Sequence, residues 1–214
     1  MKKINLIPNT TINDYQLIVY EDVPKNCTTG FVGCVENASN KDLFIEIEID
    51  NKYMFESRNL KCCFWANPDN YLHSEIIMTS SFFEEFRNND FLKFVVWHEI
   101  GHFHTLHYFD TVFDTNGSAQ KTRTEYLEKG EIMPEEKVAD LFALYYTSKE
   151  YAVNFLKYMI KKRRENTAEP VEINTKAVRE LCLRKRFLSE FDDSEENIKQ
   201  AICDLCGIRE FNLI

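Results

Sequence analysis

The stretch from Phe91 to about Phe109 constrains the fold most strongly, because apolar residues recur on two of its helical faces. One face carries Phe91, Phe94, Val95, His98 and His102, and the other carries Leu92, Val96, Ile100 and Phe103. This 3.6-residue spacing predicts an α-helix, and Asp90 is suited to cap its first turn. A helix that is apolar on most sides must be buried, so we expect other elements to surround it.

The same helix carries the sequence His-Glu-Ile-Gly-His at residues 98–102. Residues four apart on a helix share a face and lie about 6 Å apart along its axis, so His98 and His102 can bind one metal ion. Glu99 is rotated by about 100° from His98 and lies beside such an ion, where its carboxylate can hold a water molecule. The alternative is two core histidines flanking an exposed glutamate. A metzincin arrangement is excluded by Thr105 and Tyr108, which stand where glycine and histidine are required.

Glu136 is the predicted third ligand. It shares one helical stripe with Ala139, Asp140 and Ala143, and the two alanines allow a close approach to another helix. Asp140 is placed to accept the free ring N–H of a liganding histidine and so to fix its tautomer. Like charges four residues apart repel each other, and a cation relieves that repulsion. Two alternatives stay open: Glu135 is a competing ligand, and the acidic pair can instead lie on a solvated face.

The first 80 residues are predicted to form strands. The clearest segment is Leu43–Asp50, in which isoleucines alternate with acidic residues as in a half-buried strand. Shorter strands are predicted at Tyr53–Glu56, Lys61–Trp65 and Glu75–Thr79. Together these segments predict a small N-terminal sheet, either antiparallel or mixed.

Helical periodicity continues from Ser81 to near the end of the chain, with one long interruption. Ser81 and Glu84 form a predicted capping box for a short helix. Later helices are predicted at Glu135–Tyr146, Lys149–Arg164, Thr175–Glu190 and Glu195–Cys206. Ser194 is expected to cap the last of them and Gly207 to end it. The interruption, Asp110–Glu131, is polar and predicts a long loop.

Two further features of the C-terminal half carry weaker signals. The basic runs Lys161–Arg164 and Arg184–Arg186 are interpreted as solvated helix ends, where cations favour the helix dipole. Cys203 and Cys206 either pack in an apolar helix end or form half of a zinc or redox site.

Charge and composition exclude several classes of protein. The chain has 214 residues, enough for roughly one domain, and a net charge of −9 that repels nucleic-acid phosphates and anionic membranes. No apolar run approaches the length of a membrane span, and Ile4–Pro8 is too short for a signal-peptide core. Seven cysteines, an odd number, favour reduced thiols. We therefore expect a cytoplasmic protein without a nucleic-acid or membrane partner.

The histidine motif at residues 98–102, followed by Glu136-Lys-Val-Ala-Asp140 on a helix, resembles the gluzincin metallopeptidases. The likeness covers about residues 75–146 and extends to both the HtpX and CAAX-prenyl protease kind and the soluble ImmA/IrrE kind. In such enzymes a strand before the active-site helix, here Glu75–Thr79, lies beside the cleft, and an extended substrate is expected to pair with its edge. The resemblance implies a zinc endopeptidase in which His98, His102 and Glu136 are ligands, Glu99 is the catalyst and Asp140 supports the ligands.

The resemblance and the residue patterns together imply an α+β fold. A small N-terminal antiparallel or mixed sheet is expected to pack on a zincin-like helical core, followed by a helical C-terminal half. Residues 1–214 are expected to form a single metallopeptidase domain, with strands mainly in 1–80, active-site helices in 81–146 and further helices in 147–214. One Zn²⁺ per chain and a protein or peptide substrate are implied. The alternative is a non-catalytic zinc-binding regulatory or toxin-like interaction module.

Candidate donors to a developing oxyanion are His104, His107, Arg123, Tyr126, Arg179 and Arg184.

Overall fold

A computed structural model provides the structure of the chain. It describes the backbone of residues 3–5, 15–20, 29–37, 44–50, 62–65, 73–86, 91–105, 118–166 and 170–210, and the side chains of residues 62, 76–86, 91–102, 122–166 and 170–210. The strand predicted at Tyr53–Glu56 and the cap predicted at Asp90 lie outside the described residues.

The chain divides into two compact units, Met1–Glu99 together with Ile214, and Ile100–Leu213. The described residues of the first unit form six strands: β1 Lys3–Asn5, β2 Tyr15–Tyr20, β3 Thr29–Asn37, β4 Phe44–Asp50, β5 Cys62–Trp65 and β6 His73–Met78. They form one sheet in the order β1-β2-β3-β4-β6-β5. Strands β4 and β6 are parallel, and every other neighbouring pair is antiparallel.

Strand β6 lies inside the sheet rather than at its edge. One side of it pairs with β4 and the other side pairs with β5. Ile76, Ile77 and Met78 are all buried, as in a strand covered on both faces. The prediction that an extended substrate pairs with the edge of Glu75–Thr79 is therefore wrong, because β6 already has neighbours on both sides. Strand order depends on long-range pairing, which a single sequence does not reveal.

The first helix, α1, spans Ser80–Phe86 and is capped by Thr79. The Thr79 hydroxyl accepts the backbone N–H of Phe82 at 3.3 Å, and the Thr79 carbonyl accepts that of Phe83 at 3.0 Å. The prediction of Ser81 as the capping residue is therefore wrong by two positions. Thr79 offers the same hydroxyl chemistry directly after the end of β6, so the chain turns into the helix sooner.

The described residues beyond α1 form six further helices: α2 Phe91–Thr105, α3 Ser118–Lys129, α4 Pro134–Tyr146, α5 Lys149–Glu165, α6 Val171–Glu190 and α7 Glu195–Cys206. The predicted helical character of the chain beyond residue 80 is confirmed for the described residues. None of these helices has both the length and the apolar composition that a membrane crossing requires.

Helix α2 is buried on every side over its central part. All side chains from Phe94 to Gly101 are buried, which confirms the expectation drawn from its two apolar faces. The division between the two compact units falls within this helix. The described helix ends at Thr105, and residues 106–109, which were predicted to continue it, lie outside the described part of the chain.

The segment predicted as a long loop, Asp110–Glu131, contains a helix instead. Helix α3 occupies Ser118–Lys129, so the loop prediction is wrong for these residues. Gly130 ends the helix in the left-handed conformation, with φ of 76°, and its N–H donates to the Leu127 carbonyl at 3.1 Å. The polar composition concealed the helix, but a glycine directly after a basic last turn is a helix-end signal that was available in the sequence.

Within the second unit, α4 packs against α5, α6 and α7, and α6 packs against α3 and α5. Helix α6 begins at Val171, four residues before the predicted start at Thr175. The side chain of Asn174 explains the early start, because it donates to the Arg163 carbonyl at 2.6 Å and to the Asn166 carbonyl at 3.3 Å. These bonds join the first turn of α6 to the end of α5.

Gly101 lies at a close approach between α2 and α4. A Cβ atom at Gly101 would lie 2.9 Å from the Ala139 Cα and 2.9 Å from the Phe142 Cβ. Both distances are shorter than real Cβ contacts, so only glycine fits without a shift of the helices. The close approach to the helix that carries Glu136 therefore accounts for a glycine in the middle of a buried helix, where its own propensity is poor.

Replacing Gly101 by alanine tests this contact. Alanine gains about 1 kcal/mol of helix propensity, but overpacking against the α4 backbone costs about 1 to 3 kcal/mol, so we expect Gly101→Ala to unfold at lower urea concentration. The control is Asn154→Ala in α5, whose side chain is exposed, and which should be neutral or slightly stabilising. A Gly101→Ala protein more stable than the unaltered chain would contradict the close contact.

Two serines at helix starts provide a matched pair for a test of capping. Ser148 caps α5, and its hydroxyl accepts the N–H of Tyr151 at 3.2 Å. Ser194 occupies the predicted N-cap position of α7, but its side chain makes no capping hydrogen bond. We expect Ser148→Ala to lower the free energy of unfolding by about 1 kcal/mol and Ser194→Ala by clearly less. Equal losses in urea unfolding would show that the difference between the two caps does not exist in solution.

Candidate metal site

Three side chains that the sequence singled out as ligands meet in the structure. His98, His102 and Glu136 each offer one ligand atom, and these atoms all lie within 4.8 Å of one another. The two histidines are one turn apart on α2, and Glu136 lies in the first turns of α4. In the described part of the chain, this is the one group of three or more such residues that could hold a metal ion.

Packing around His98 and Glu99 restricts their side chains. The His98 ring stacks on the ring of Phe94, one turn earlier, with 6.3 Å between centroids and 27° between planes. His98 is 7% exposed and Glu99 is 8% exposed. The interpretation of Glu99 as an exposed glutamate between two core histidines is therefore wrong, because Glu99 is about as buried as His98.

The carboxylate of Glu136 has different neighbours at its two oxygens. Its Oε1 lies 3.9 Å from the Nε2 of His102. Its Oε2 lies 3.3 Å from a terminal nitrogen, Nη1, of Arg184. One oxygen therefore faces the histidine donors, and the other faces a cation supplied by helix α6.

Asp140 is held by the same arginine. The Nε of Arg184 donates to Oδ2 of Asp140 at 2.8 Å, and its Nη2 donates to Oδ1. Asp140 is fully buried, and removing a carboxylate from water without a partner costs several kcal/mol. The two hydrogen bonds from Arg184 supply the charged partner that this carboxylate needs. The predicted hydrogen bond from a histidine ring to Asp140 stays a prediction.

A second arginine pair lies on the same face of α6. Arg123 of α3 makes two hydrogen bonds to Glu180, one of them from Nε to Oε2 at 2.8 Å. Glu180 precedes Arg184 by four residues, so the two side chains leave α6 from one face. Arg123, Glu136, Asp140, Glu180 and Arg184 thus form a charged cluster contributed by α3, α4 and α6, which we call the five-residue cluster.

The pKa values of both arginines reflect this surrounding. Burial alone lowers the pKa of Arg184, but the carboxylates of Asp140 and Glu136 more than offset burial and raise it well above its usual range. Burial likewise lowers the pKa of Arg123, while Glu136 and Glu180 raise it, and the net change is upward. Both guanidinium groups therefore keep their charge at every pH at which the fold persists.

Sequence reasoning missed the burial of Arg184. The run Arg184–Arg186 was interpreted as a solvated helix end, which is wrong for Arg184, with 11% of its side chain exposed, and right for Arg186, with 74% exposed. Helical periodicity offered a signal, because Glu180 and Arg184 lie one turn apart beside buried Leu188. The acidic partners lie more than 40 residues earlier, and no local pattern identifies them.

Two other candidates of the sequence, Glu135 and the pair Cys203 and Cys206, lie among the described residues but outside the three-residue group. Glu135, the competing ligand, is buried but is not part of the three-residue group. Burial, followed by the neighbouring Cys203, raises the pKa of the Cys206 thiol to about 11. Cys203 is buried and Cys206 is partly buried, which favours the packing interpretation of these cysteines. The side chains of His104 and His107 lie outside the described residues.

Comparison of the chain with protein-family models, with curated proteins and with solved structures gives no match. The gluzincin resemblance therefore rests on the motif residues alone. The chemistry of the site has to be argued from its own side chains.

Removing Glu136 tests the ligand set. We expect Glu136→Ala to bind much less divalent metal, because two histidines alone make a weak site, and metal analysis of the dialysed protein measures the loss. The matched control is Glu135→Ala, the adjacent and equally acidic side chain, which should retain the metal content of the unaltered chain. Unchanged metal content in Glu136→Ala, or its loss in Glu135→Ala, would contradict the assignment of Glu136.

Proposed function

We propose that this chain is a zinc-dependent endopeptidase that uses Glu99 as general base. The observation that carries the proposal is that the ligand atoms of His98, His102 and Glu136 lie within 4.8 Å of one another. The buried Glu99 follows His98 directly in the sequence. The gluzincin resemblance of residues 75–146 points in the same direction. The proposed substrate is a protein or peptide, and zinc is proposed at one ion per chain.

The donor set fits zinc better than other common divalent cations. Two imidazole nitrogens and one carboxylate oxygen are a known catalytic zinc set, whereas magnesium and calcium prefer oxygen donors alone. Three protein ligands also leave a coordination position for water or substrate. When bound, the ion supplies Lewis acidity, which lowers the pKa of a coordinated water and polarises the scissile carbonyl.

Glu99 performs the proton transfers in this mechanism. Its carboxylate removes a proton from the water molecule that attacks the peptide carbonyl carbon. As the C–N bond breaks, the carboxylic acid form of Glu99 returns that proton to the leaving amine nitrogen. Burial of Glu99 limits the access of bulk water, so the same side chain can act first as base and then as acid.

A non-catalytic zinc-binding regulatory or toxin-like module is the alternative function. It requires the same three ligands but gives Glu99 no chemical role. The burial of a second carboxylate beside the ligand histidine favours the catalytic proposal, because a structural zinc site gains nothing from an additional buried acid. The two functions therefore differ in what they require of Glu99.

The isosteric change Glu99→Gln separates these functions. We expect it to leave the zinc content unchanged and to lower the rate of peptide cleavage by at least about 100-fold, because the amide cannot accept the proton. The measurement combines metal analysis with cleavage of a fluorogenic peptide library. Glu125→Gln, an exposed position on α3, serves as the control and should cleave at the rate of the unaltered chain. Cleavage that persists in purified Glu99→Gln would refute the catalytic proposal.

A further inference from the structure

The two oxygens of Glu136 face chemically different partners. Oε1 is 3.9 Å from the Nε2 of His102 and belongs to the group of atoms that could hold a metal ion. Oε2 is 3.3 Å from the guanidinium of Arg184. A carboxylate rotates about its terminal bond unless its oxygens are held, so a partner at Oε2 fixes the direction of Oε1.

Arg184 is itself held in place. Two hydrogen bonds to Asp140, made through Nε and Nη2, fix the plane of the guanidinium and direct its third nitrogen, Nη1, toward Glu136. Since Asp140 and Glu136 lie one turn apart on α4, the planar group spans that turn. A lysine ammonium is a point charge that lacks this planar fork, so it cannot pair with Asp140 through two parallel bonds.

We propose that Arg184 is a positioning residue for the metal ligand Glu136: it holds Oε2, so that Oε1 is directed at the two histidines for binding through a single oxygen. This inference rests on the metal site of the proposed function but does not depend on catalysis. It gives Asp140 the task of orienting the arginine, and it explains why a cation is buried next to a metal site that would otherwise repel it.

The positive charge of Arg184 and its orienting contact with Glu136 have opposite effects on metal binding, and this difference makes the inference testable. If Arg184 acted only through its positive charge, removing it would strengthen the binding of a cation. If Arg184 acts by orienting Glu136, removing it weakens metal binding despite the loss of repulsion. Changing the arginine to methionine removes charge and geometry together, whereas changing it to lysine removes the geometry and keeps the charge.

The experiment compares the unaltered full-length chain with Arg184→Met and Arg184→Lys. Zn²⁺ affinity is measured by competition with a chromophoric chelator, and Co²⁺ is added in a parallel titration because its visible spectrum reports coordination geometry. We expect both variants to bind Zn²⁺ about 10-fold to 100-fold more weakly, the range typical for residues that orient metal ligands. The Co²⁺ spectrum should change shape in both variants, which a general loss of stability does not produce.

Two controls connect the effect to Glu136. Arg186→Met and Arg186→Lys alter an exposed arginine of the same helix, which pairs with Glu190, and should leave Zn²⁺ affinity unchanged. In a Glu136→Ala background, the residual weak binding by the two histidines should not fall further when Arg184→Met is added. If Arg184→Met does not fold, as judged by circular dichroism, Arg184→Lys carries the same comparison.

The possible failures are distinguishable. Zn²⁺ affinity that is unchanged or stronger in folded Arg184 variants, while Glu136→Ala loses zinc, overturns the inference and leaves the proposed metal site intact. A further loss when Arg184→Met is added to Glu136→Ala also overturns it, since the arginine would then act independently of Glu136. Unchanged zinc in Glu136→Ala refutes the ligand set itself, and the inference is refuted with it.

Discussion

The contact between α2 and α4 at Gly101 is the constraint on which the candidate metal site depends. Packed helices normally keep about 8 to 10 Å between their axes, and the smaller distances need small residues at the crossing. Gly101 and Ala139 provide them, with a hypothetical Cβ at Gly101 only 2.9 Å from the Ala139 backbone. His102 is the next residue on one helix, and Glu136 is one turn away on the other. The absence of a side chain at the crossing is therefore what brings two donor groups to 3.9 Å.

The second requirement of the site is electrostatic. The close packing that joins the helices also excludes water from Asp140, which is fully buried. A carboxylate in that position needs a charged partner, and α6 supplies Arg184. Removing one member of such a buried pair generally lowers the stability of a fold far more than replacing both members, because the remaining charge has neither water nor a partner. The five-residue cluster is thus a consequence of placing acids inside a helical core.

Local patterns in the sequence were sufficient to predict the buried helix α2, the histidine spacing and the acidic helix that carries Glu136. Each of these depends on residues within a few turns of one another, where the helical period determines the geometry. Helix α3 was missed because its polar sequence has no apolar stripe, and only the glycine after its last turn indicated it. The interior position of β6 and the burial of Arg184 were missed for a different reason. Both depend on partners distant in the chain, and one sequence contains no record of which distant residues meet.

Arg184 lies in α6, far beyond the motif residues in the sequence, so the charged cluster around Glu136 needs more of the chain than the motif alone. The motif residues all precede residue 147: they are both histidines, the catalytic candidate Glu99 and the acidic pair of α4. A fragment that ends at Tyr146 would therefore contain every residue of the motif. That fragment would lack the guanidinium that donates two hydrogen bonds to the buried carboxylate of Asp140. Helix α6 therefore contributes a charged partner to the candidate metal site, although it contributes none of the three candidate ligands.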